Sequence, residues 1–414
     1  MDSAFYSHYF SPEIGAPSTR IYDLSKELIR LGHSVQVVTC FPNHPAGKLY
    51  QGYPRGFYLH EKLNGINVHR HWTYITPNKG FFKKILGHIS YLPSALTLSN
   101  RHLGDLDITI GTSPTFFAAM AAAWTAFQYK IPFIMEVRDL WPAIFVELGV
   151  LRNPRLIRWL ERWELALYRQ ATRVVTVTEA FRHNLIERGV PAGKVVAIPN
   201  GADVDFWQLV EPPGGLIKKL GLEGCFIVLY IGAHGISHGL GSILESAERL
   251  KNHTRIQFLF VGEGAEKEQL MRQAQASHLK NVRFLGSVDK HGVREFYALS
   301  DVCLVPLRDI PLFRTFIPSK MFEIMSMARP IIGSVRGEAA DILRQSGGAL
   351  IVEPEDSEAI VQAILWMYQH PDEAHAMGQK GRQFVMDEYS RSSLAALYVD
   401  VMNEAILEFH SSQR

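Results

Sequence analysis

The chain has 414 residues, 47% of them hydrophobic and 20% charged, with a formal net charge of +2. That length exceeds one ordinary core and makes two domains the expectation. The composition excludes a disordered or membrane-embedded chain, and the near-balanced charge gives no support to a nucleic-acid partner.

The three cysteines, Cys40, Cys225 and Cys303, are scattered in or beside apolar runs, which fits reduced thiols in the cytosol and not a disulfide frame. The first residues carry Asp2 and no basic leader, so no signal peptide is expected. The longest apolar run, FFAAMAAAWTAF, has 12 residues, too few for the roughly 20 that span a bilayer.

In chain order, the helical STRIYDLSKELIRLG, stopped by Gly32, leads into the strand-like SVQVVTC. ITIGT, FIMEV and VVTVT follow as β-rich runs separated by helical material. Pro and Gly then cluster in DFWQLVEPPGGLIKKLGLEG, and the alternation restarts with FIVLYIG, IQFLFVG, NVRFLG, VCLVPL and PIIG, each followed by a helix. Strand–helix alternation of this kind predicts an α/β protein of two doubly wound Rossmann-like domains facing a cleft. The expected spans are 1–206 and 207–385, with a last helix in 386–414 packing back on the first domain. Such sheets bind ligands beyond the carboxyl ends of their strands, so the residues that follow strands are the candidates.

The stretch FRTFIPSKMFEIMSMARPII carries the strongest chemistry. A helix start at Pro318 presents unpaired N–H groups that suit phosphate oxygens, and Ser319 and Lys320 add a hydroxyl and an ammonium there. Arg308 and Arg314 lie in the approaching loop, and the carboxylate of Glu323 can accept two hydrogen bonds from a ribose diol. On these residues alone, a plain helix start in which Glu323 favours the helix dipole fits equally well. IMEVRDLWP ends a strand of the first domain with Glu136, Arg138 and Asp139 beside a tryptophan, as a sugar site would; an internal Arg138–Asp139 pair is the alternative. Asp139 is the group expected to orient or deprotonate an acceptor hydroxyl. In SPEIGAPSTR, Gly15 permits close backbone approach just before a helix start. The Asp-x-Asp of ADVDF reads as turn chemistry, and no metal is assigned. A dinucleotide oxidoreductase is not expected, because YFSPEIGAP lacks the spaced glycines that admit a pyrophosphate.

IPSKMFEIMSMARPII resembles the donor-binding signature of the family 4 retaining glycosyltransferases of GT-B fold. Similar stretches run in order along nearly the whole chain: YFSPEIGAPSTRIYDLSKELIRLGHSVQVVT, EVRDLWP, VVAIPNGADVDFW, YIGAHGISHGLGSILESAERL, FLFVGEGAEKEQL and VRFLGSVDKHGVREFYALSDVCLVPL. The resemblance is nearest to bacterial enzymes that build O-antigen and exopolysaccharide, including fucosamine transferases. It implies that Glu323 grips the donor ribose, that Phe316 and Ile317 offer backbone N–H groups to sugar and diphosphate, and that Gly286 and Ser287 lie near the base. It also implies that the loop at Gly15, with Arg20, meets donor phosphate or acceptor. Three positions depart from the family pattern. Thr315 replaces the first signature glutamate, Ala233 and His238 replace an Arg and a Lys that hold the diphosphate, and Arg138 stands where many relatives have a histidine. A neutral His238 still donates one hydrogen bond, and a phosphate beside it favours its protonation. With these groups neutralising the diphosphate, no cofactor or metal is expected.

From Lys62 to Gly104 there are 43 residues without an Asp or Glu, but six Lys or Arg and four His. Within them Phe82, Ile85, Leu86, Ile89, Leu92 and Leu96 recur at helical spacing beside Lys83 and Lys84, as in a helix lying on anionic lipid; an ordinary core-facing helix is the alternative. The combined expectation is a cytoplasmic enzyme, peripheral on the inner face of the plasma membrane. It moves an amino or deoxy sugar from a UDP-sugar donor to a lipid-linked saccharide acceptor in cell-surface polysaccharide synthesis. A UDP-sugar 2-epimerase of the same fold and a non-catalytic nucleotide-sugar-binding protein remain the alternatives.

Overall fold

The protein is described by a computed structural model covering residues 1–414 except 14, 45–46, 77–80, 100–101, 114, 144–145, 147–150 and 413–414; at 16, 81–85 and 98–99 only the backbone is described. It divides into two units, 1–199 with 391–414, and 200–390.

The first unit is built on an eight-stranded sheet of β1 (Asp2–Tyr6), β2 (Ser34–Cys40), β3 (Tyr58–Leu63), β4 (Ile66–His71), β5 (Ile108–Thr112), β6 (Phe133–Val137), β7 (Arg173–Thr176) and β8 (Val195–Ala197). Their order is β3-β4-β2-β1-β5-β6-β7-β8, parallel throughout except for β3, which pairs antiparallel with β4 at the edge. Successive side chains of a strand point to opposite faces, and β1 shows what covers each. The Phe5 ring meets Tyr398 of the helix Arg391–Ser412, whereas the Tyr6 hydroxyl bonds Thr125 of the helix Phe116–Tyr129 at 2.8 Å.

The second unit carries β9 (Phe226–Ile231), β10 (Ile256–Val261), β11 (Val282–Leu285), β12 (Val302–Pro306), β13 (Ile331–Ser334) and β14 (Ala349–Val352), all parallel, in the order β11-β10-β9-β12-β13-β14. β10 and β12 are buried at every residue and β9 at all but its first, as expected for strands covered on both faces.

The division does not fall at 206/207 as the Pro- and Gly-rich seam suggested. Ala202 and Trp207 are buried in the core of the second unit, with Val204 and Phe206 packed against it, so the crossing precedes them at 199/200. The return crossing follows Ser390, not residue 385. Tyr398, Val401, Met402 and Ala405 of the last helix then join Phe5, Ile21 and Leu28 in the core of the first unit.

Candidate active site

In the second unit the strand order turns back on itself between β9 and β12, the place where open α/β sheets bind ligands. Lys320 opens the short helix Lys320–Ser326 that follows the loop after β12. Its ammonium lies 4.2 Å from the centre of the Tyr230 ring on β9. The Nζ atom is buried and, among the described residues, has no hydrogen-bond partner. Gly232, at the end of β9, makes the room: a Cβ there would stand 2.8 Å from Nζ. Burial pushes the Lys320 pKa down to about 8, against the opposing pull of Glu323 and Cys303. A desolvated cation left with only an aromatic face is costly in the free protein and well prepared for an anion.

Glu323 sits one turn further on and accepts a hydrogen bond from the Tyr297 hydroxyl at 3.4 Å. Ser319 precedes the helix, and its side chain caps nothing. The helix itself is only seven residues long, so the ammonium, more than the helix dipole, supplies the positive charge here.

Several expectations for this unit need correction. The His238 Nδ1 faces the Pro306 carbonyl at 3.3 Å, so the proton of a neutral ring sits on Nδ1 and Nε2 is an acceptor. Burial and the nearby Lys320 push its pKa down to about 4. A neutral His238 in this tautomer has no N–H left to offer a phosphate, contrary to the neutral donor anticipated, and would gain one only on protonation. Arg308 and Arg314, expected in the loop that approaches the helix, both have carboxylate partners. Arg308 pairs with Glu355 at 3.4 Å, and Arg314 with Asp309 at 3.1 Å, a carboxylate shared with Arg336 at 2.7 Å. All three pairs are half exposed and so worth little to the fold. The Thr315 hydroxyl donates to the Leu312 carbonyl at 2.7 Å, and the Phe316 N–H is taken by the Phe313 carbonyl at 3.2 Å. Among the described residues no such bond ties the Ile317 N–H. Gly286 and Ser287 are exposed in the loop after β11, where a Cβ on Gly286 would lie 3.7 Å from Glu263 Oε1.

In the first unit the order turns back between β1 and β5, and the residues after β1 and β6 were the candidates. Gly15 caps the helix Ala16–Arg30, its carbonyl accepting the Thr19 N–H at 3.0 Å. Arg20 is held by partners of its own unit. Its Nε pairs with Glu136 Oε1 at 2.5 Å, and its other nitrogens donate to the carbonyls of Ile198 at 2.9 Å and Pro199 at 3.0 Å. Glu136 is 0% exposed, so this pair is internal and Glu136 holds structure instead of touching a reacting group. Arg138 is buried and donates to the Pro17 carbonyl at 2.8 Å. Its pKa falls to about 10 through burial, which the charge of Glu136 opposes. Asp139 keeps some exposure, and burial raises its pKa to about 6 against the pull of Arg138. Of the three acidic and basic residues proposed after β6, Asp139 alone retains the exposure and the pKa of a group that could trade protons.

Residues 15–201 match the glycosyl transferase 4-like domain, and residues 225–370 match the glycosyl transferases group 1 domain. The chain is a glycosyltransferase. It is 25% identical over 371 residues, 87% of this chain and 90% of the other, to a glycosyl transferase of Escherichia coli (strain K12) named for colanic acid biosynthesis. In fold it resembles sucrose-phosphate synthase from Thermosynechococcus elongatus, with a TM-score of 0.75 at 18% identity over 98% of this chain and 99% of that one. It likewise resembles Anabaena HepE in complex with UDP and glucose, with a TM-score of 0.73 at 15% identity over 97% and 99% of the two chains.

Sequence reading of this glycosyltransferase missed Tyr230, Gly232, His234 and Tyr297, which lie in or beside apolar runs and look like core. His234 is 0% exposed, neither ring nitrogen is hydrogen-bonded among the described residues, and burial lowers its pKa to about 4. Asp203 of the Asp-x-Asp pair accepts the Phe206 N–H at 3.0 Å, the turn chemistry anticipated. Among the described residues, no group of three or more His, Cys, Asp or Glu side chains is placed to hold a metal ion. Gly232 has a φ of +140° and is hydrogen-bonded through its N–H to Val261 at 2.9 Å. Gly232→Ala should displace the Lys320 ammonium and strain the backbone by about 1–3 kcal/mol. The expected outcome is a lower melting temperature together with at least tenfold weaker nucleotide binding, checked by calorimetry.

Proposed function

We propose that this glycosyltransferase takes a sugar from a UDP-sugar and transfers it, with retention of anomeric configuration, to a lipid-linked saccharide during cell-surface polysaccharide synthesis at the inner face of the plasma membrane. The observation that carries the donor half is the buried Lys320 ammonium without a hydrogen-bond partner, beside Glu323 and at the turning point of the sheet. Lys320 and Ser319 hold the diphosphate, Glu323 the ribose diol, and the Ile317 amide the transferred sugar. Charge on the departing UDP is neutralised by Lys320 and by His238 once protonated, so neither a cofactor nor a metal takes part. On the first unit, Asp139 receives or directs the proton of the acceptor hydroxyl as its oxygen bonds to C1 of the sugar and the C1–phosphate oxygen bond breaks. The kinship with a transferase named for colanic acid biosynthesis supports a polysaccharide product, and the UDP held by the Anabaena structure supports the nucleotide.

Thermal unfolding with UDP, GDP and ADP tests the reading. UDP at about 100 times its dissociation constant should add about 2.7 kcal/mol of stability, and chelation of divalent ions should leave that protection unchanged. Equal indifference to all three nucleotides overturns the assignment. The pH dependence has a defined sign. Below pH 8 Lys320 is charged in the free protein and binds diphosphate directly; above it the ammonium is lost, and binding must first take up a proton. Affinity should therefore fall as pH rises past 8, by up to about tenfold per unit.

A further inference from the structure

The helix Pro154–Gln170, PRLIRWLERWELALYRQ, is divided in a way its fold does not require. Its buried residues are Glu164, Leu167 and Tyr168. Trp159 and Trp163 are 52% and 46% exposed, their rings 5.3 Å apart, and Leu156 continues the same stripe at helical spacing. Alongside it runs a second exposed stripe of Arg155, Arg158, Arg162 and Arg169. The acids of this helix turn away from that face: Glu164 is buried between Arg188 and Tyr168, and Glu161 is half-buried.

Among the described residues, the lack of counter-charge is particular to this helix. Exposed arginines on other helices pair within their own turn, Arg30 with Glu27, Arg249 with Glu245, Arg272 with Glu268 and Arg344 with Asp341. Arg155, Arg158, Arg162 and Arg169 face no carboxylate within ion-pairing distance among the described residues, and the only bond that any of their guanidinium groups makes there is from Arg158 Nε to its own helix, at Pro154. At the helix start, Arg152, Asn153, Pro154, Arg155 and Arg158 line an open recess. The neighbouring helix Phe116–Tyr129, packed against this one, leaves Trp124 48% and Phe127 70% exposed.

We propose that this face docks on an anionic lipid bilayer, with the arginines among the headgroups and the tryptophans at the boundary with the acyl chains. A row of unpaired guanidinium groups beside amphipathic indole rings matches that interface in charge and in polarity together. No described helix is long and apolar enough to cross a membrane, so the contact is parallel to the surface. It differs from the segment expected from sequence. There the side chains of Phe82, Lys83, Lys84 and Ile85 lie outside the described residues, and Leu86 is exposed on the helix Phe81–Ser99. The inference deepens the reading of a membrane-borne acceptor and rests on it.

The test is co-sedimentation of the full chain with vesicles of phosphatidylcholine alone and with phosphatidylglycerol added, at low and high salt. The wild type should bind only the anionic vesicles, release in high salt, and blue-shift its tryptophan fluorescence on binding. The triple variant Arg155→Gln, Arg158→Gln, Arg162→Gln should bind on the order of a hundredfold more weakly, since each basic residue contributes roughly a fivefold factor near such a surface. Trp159→Ser with Trp163→Ser should lose most of the fluorescence shift, leaving the part that Trp124 reports. Melting temperature and UDP protection of both variants should match the wild type, which separates failure of docking from failure of the donor site. Equal vesicle binding by the triple variant overturns the proposal. So does a wild type that ignores anionic vesicles, or one that self-associates through this face, shown by variants that are monomeric where the wild type is dimeric.

Discussion

Lys320→Met should abolish protection by UDP while raising the melting temperature of the free protein. The two effects have opposite signs because the ammonium is unfavourable until a ligand arrives. It is buried, has no hydrogen-bond partner among the described residues, and is held down to a pKa of about 8. Methionine is of similar volume, packs against Tyr230, and removes the desolvation penalty; replacing buried charge by apolar side chains stabilises by about 1–4 kcal/mol in favourable cases. Charge-assisted hydrogen bonds contribute about 1.5–3 kcal/mol each, and an ammonium has three donors, so binding should weaken by about a hundredfold or more. Calorimetry with UDP and thermal unfolding without it read the two effects separately. The gain in stability should shrink as pH rises from 8, where Lys320 loses its proton in the fold, towards the ordinary lysine value of 10.5, where it is neutral in the unfolded chain as well. Unchanged UDP binding would remove Lys320 from the donor site.

Arg20→Ala should have the largest effect on stability. The guanidinium is the partner of Glu136, which is 0% exposed, and it also holds the carbonyls of Ile198 and Pro199, where the chain leaves the first unit. Removing one member of a buried pair strands the other and costs about 3–5 kcal/mol, a large share of the roughly 5–15 kcal/mol that holds a domain. Insolubility or a sharply lowered melting temperature is expected. Glu136→Ala made together with it should recover part of the loss, the signature of coupled residues in a double-mutant cycle. An Arg20→Ala protein that melts like the wild type but has lost transfer activity would return Arg20 to the role first expected of it, contact with donor or acceptor.

The contrast between these two lysine and arginine sites explains how much of the protein was legible beforehand. Strands such as SVQVVTC and FIVLYIG were readable because buried parallel strands need continuous β-branched and aromatic runs. The β3–β4 hairpin was not. It buries Arg70 against Glu61 at 2.5 Å and turns His69 and His71 inward, so its polar residues concealed a strand pair at the edge of the sheet. At the candidate site, Lys320 and Glu323 could be read because they are neighbours in a recognisable stretch. Tyr230 and Gly232, which give the ammonium its setting, look like ordinary strand core. Arg20 and Glu136 each looked like a ligand-binding residue; their pairing across 116 positions was invisible without the sheet that brings them together. His238 shows the same limit at smaller scale, since only the Pro306 carbonyl decides which of its nitrogens carries the proton.

The last helix also bears on the order in which the protein is made. Tyr398, Val401, Met402 and Ala405 complete the core around Phe5, and Arg391 and Arg173 bind Asp23 and Glu408 across the same seam. Ribosomes deliver that helix only after all of residues 200–390, so the strands of the first unit wait for it before their apolar face is covered. A chain cut after Ser390 would leave Phe5, Ile21 and Leu28 without the helix that completes their core, even with its second Rossmann unit folded.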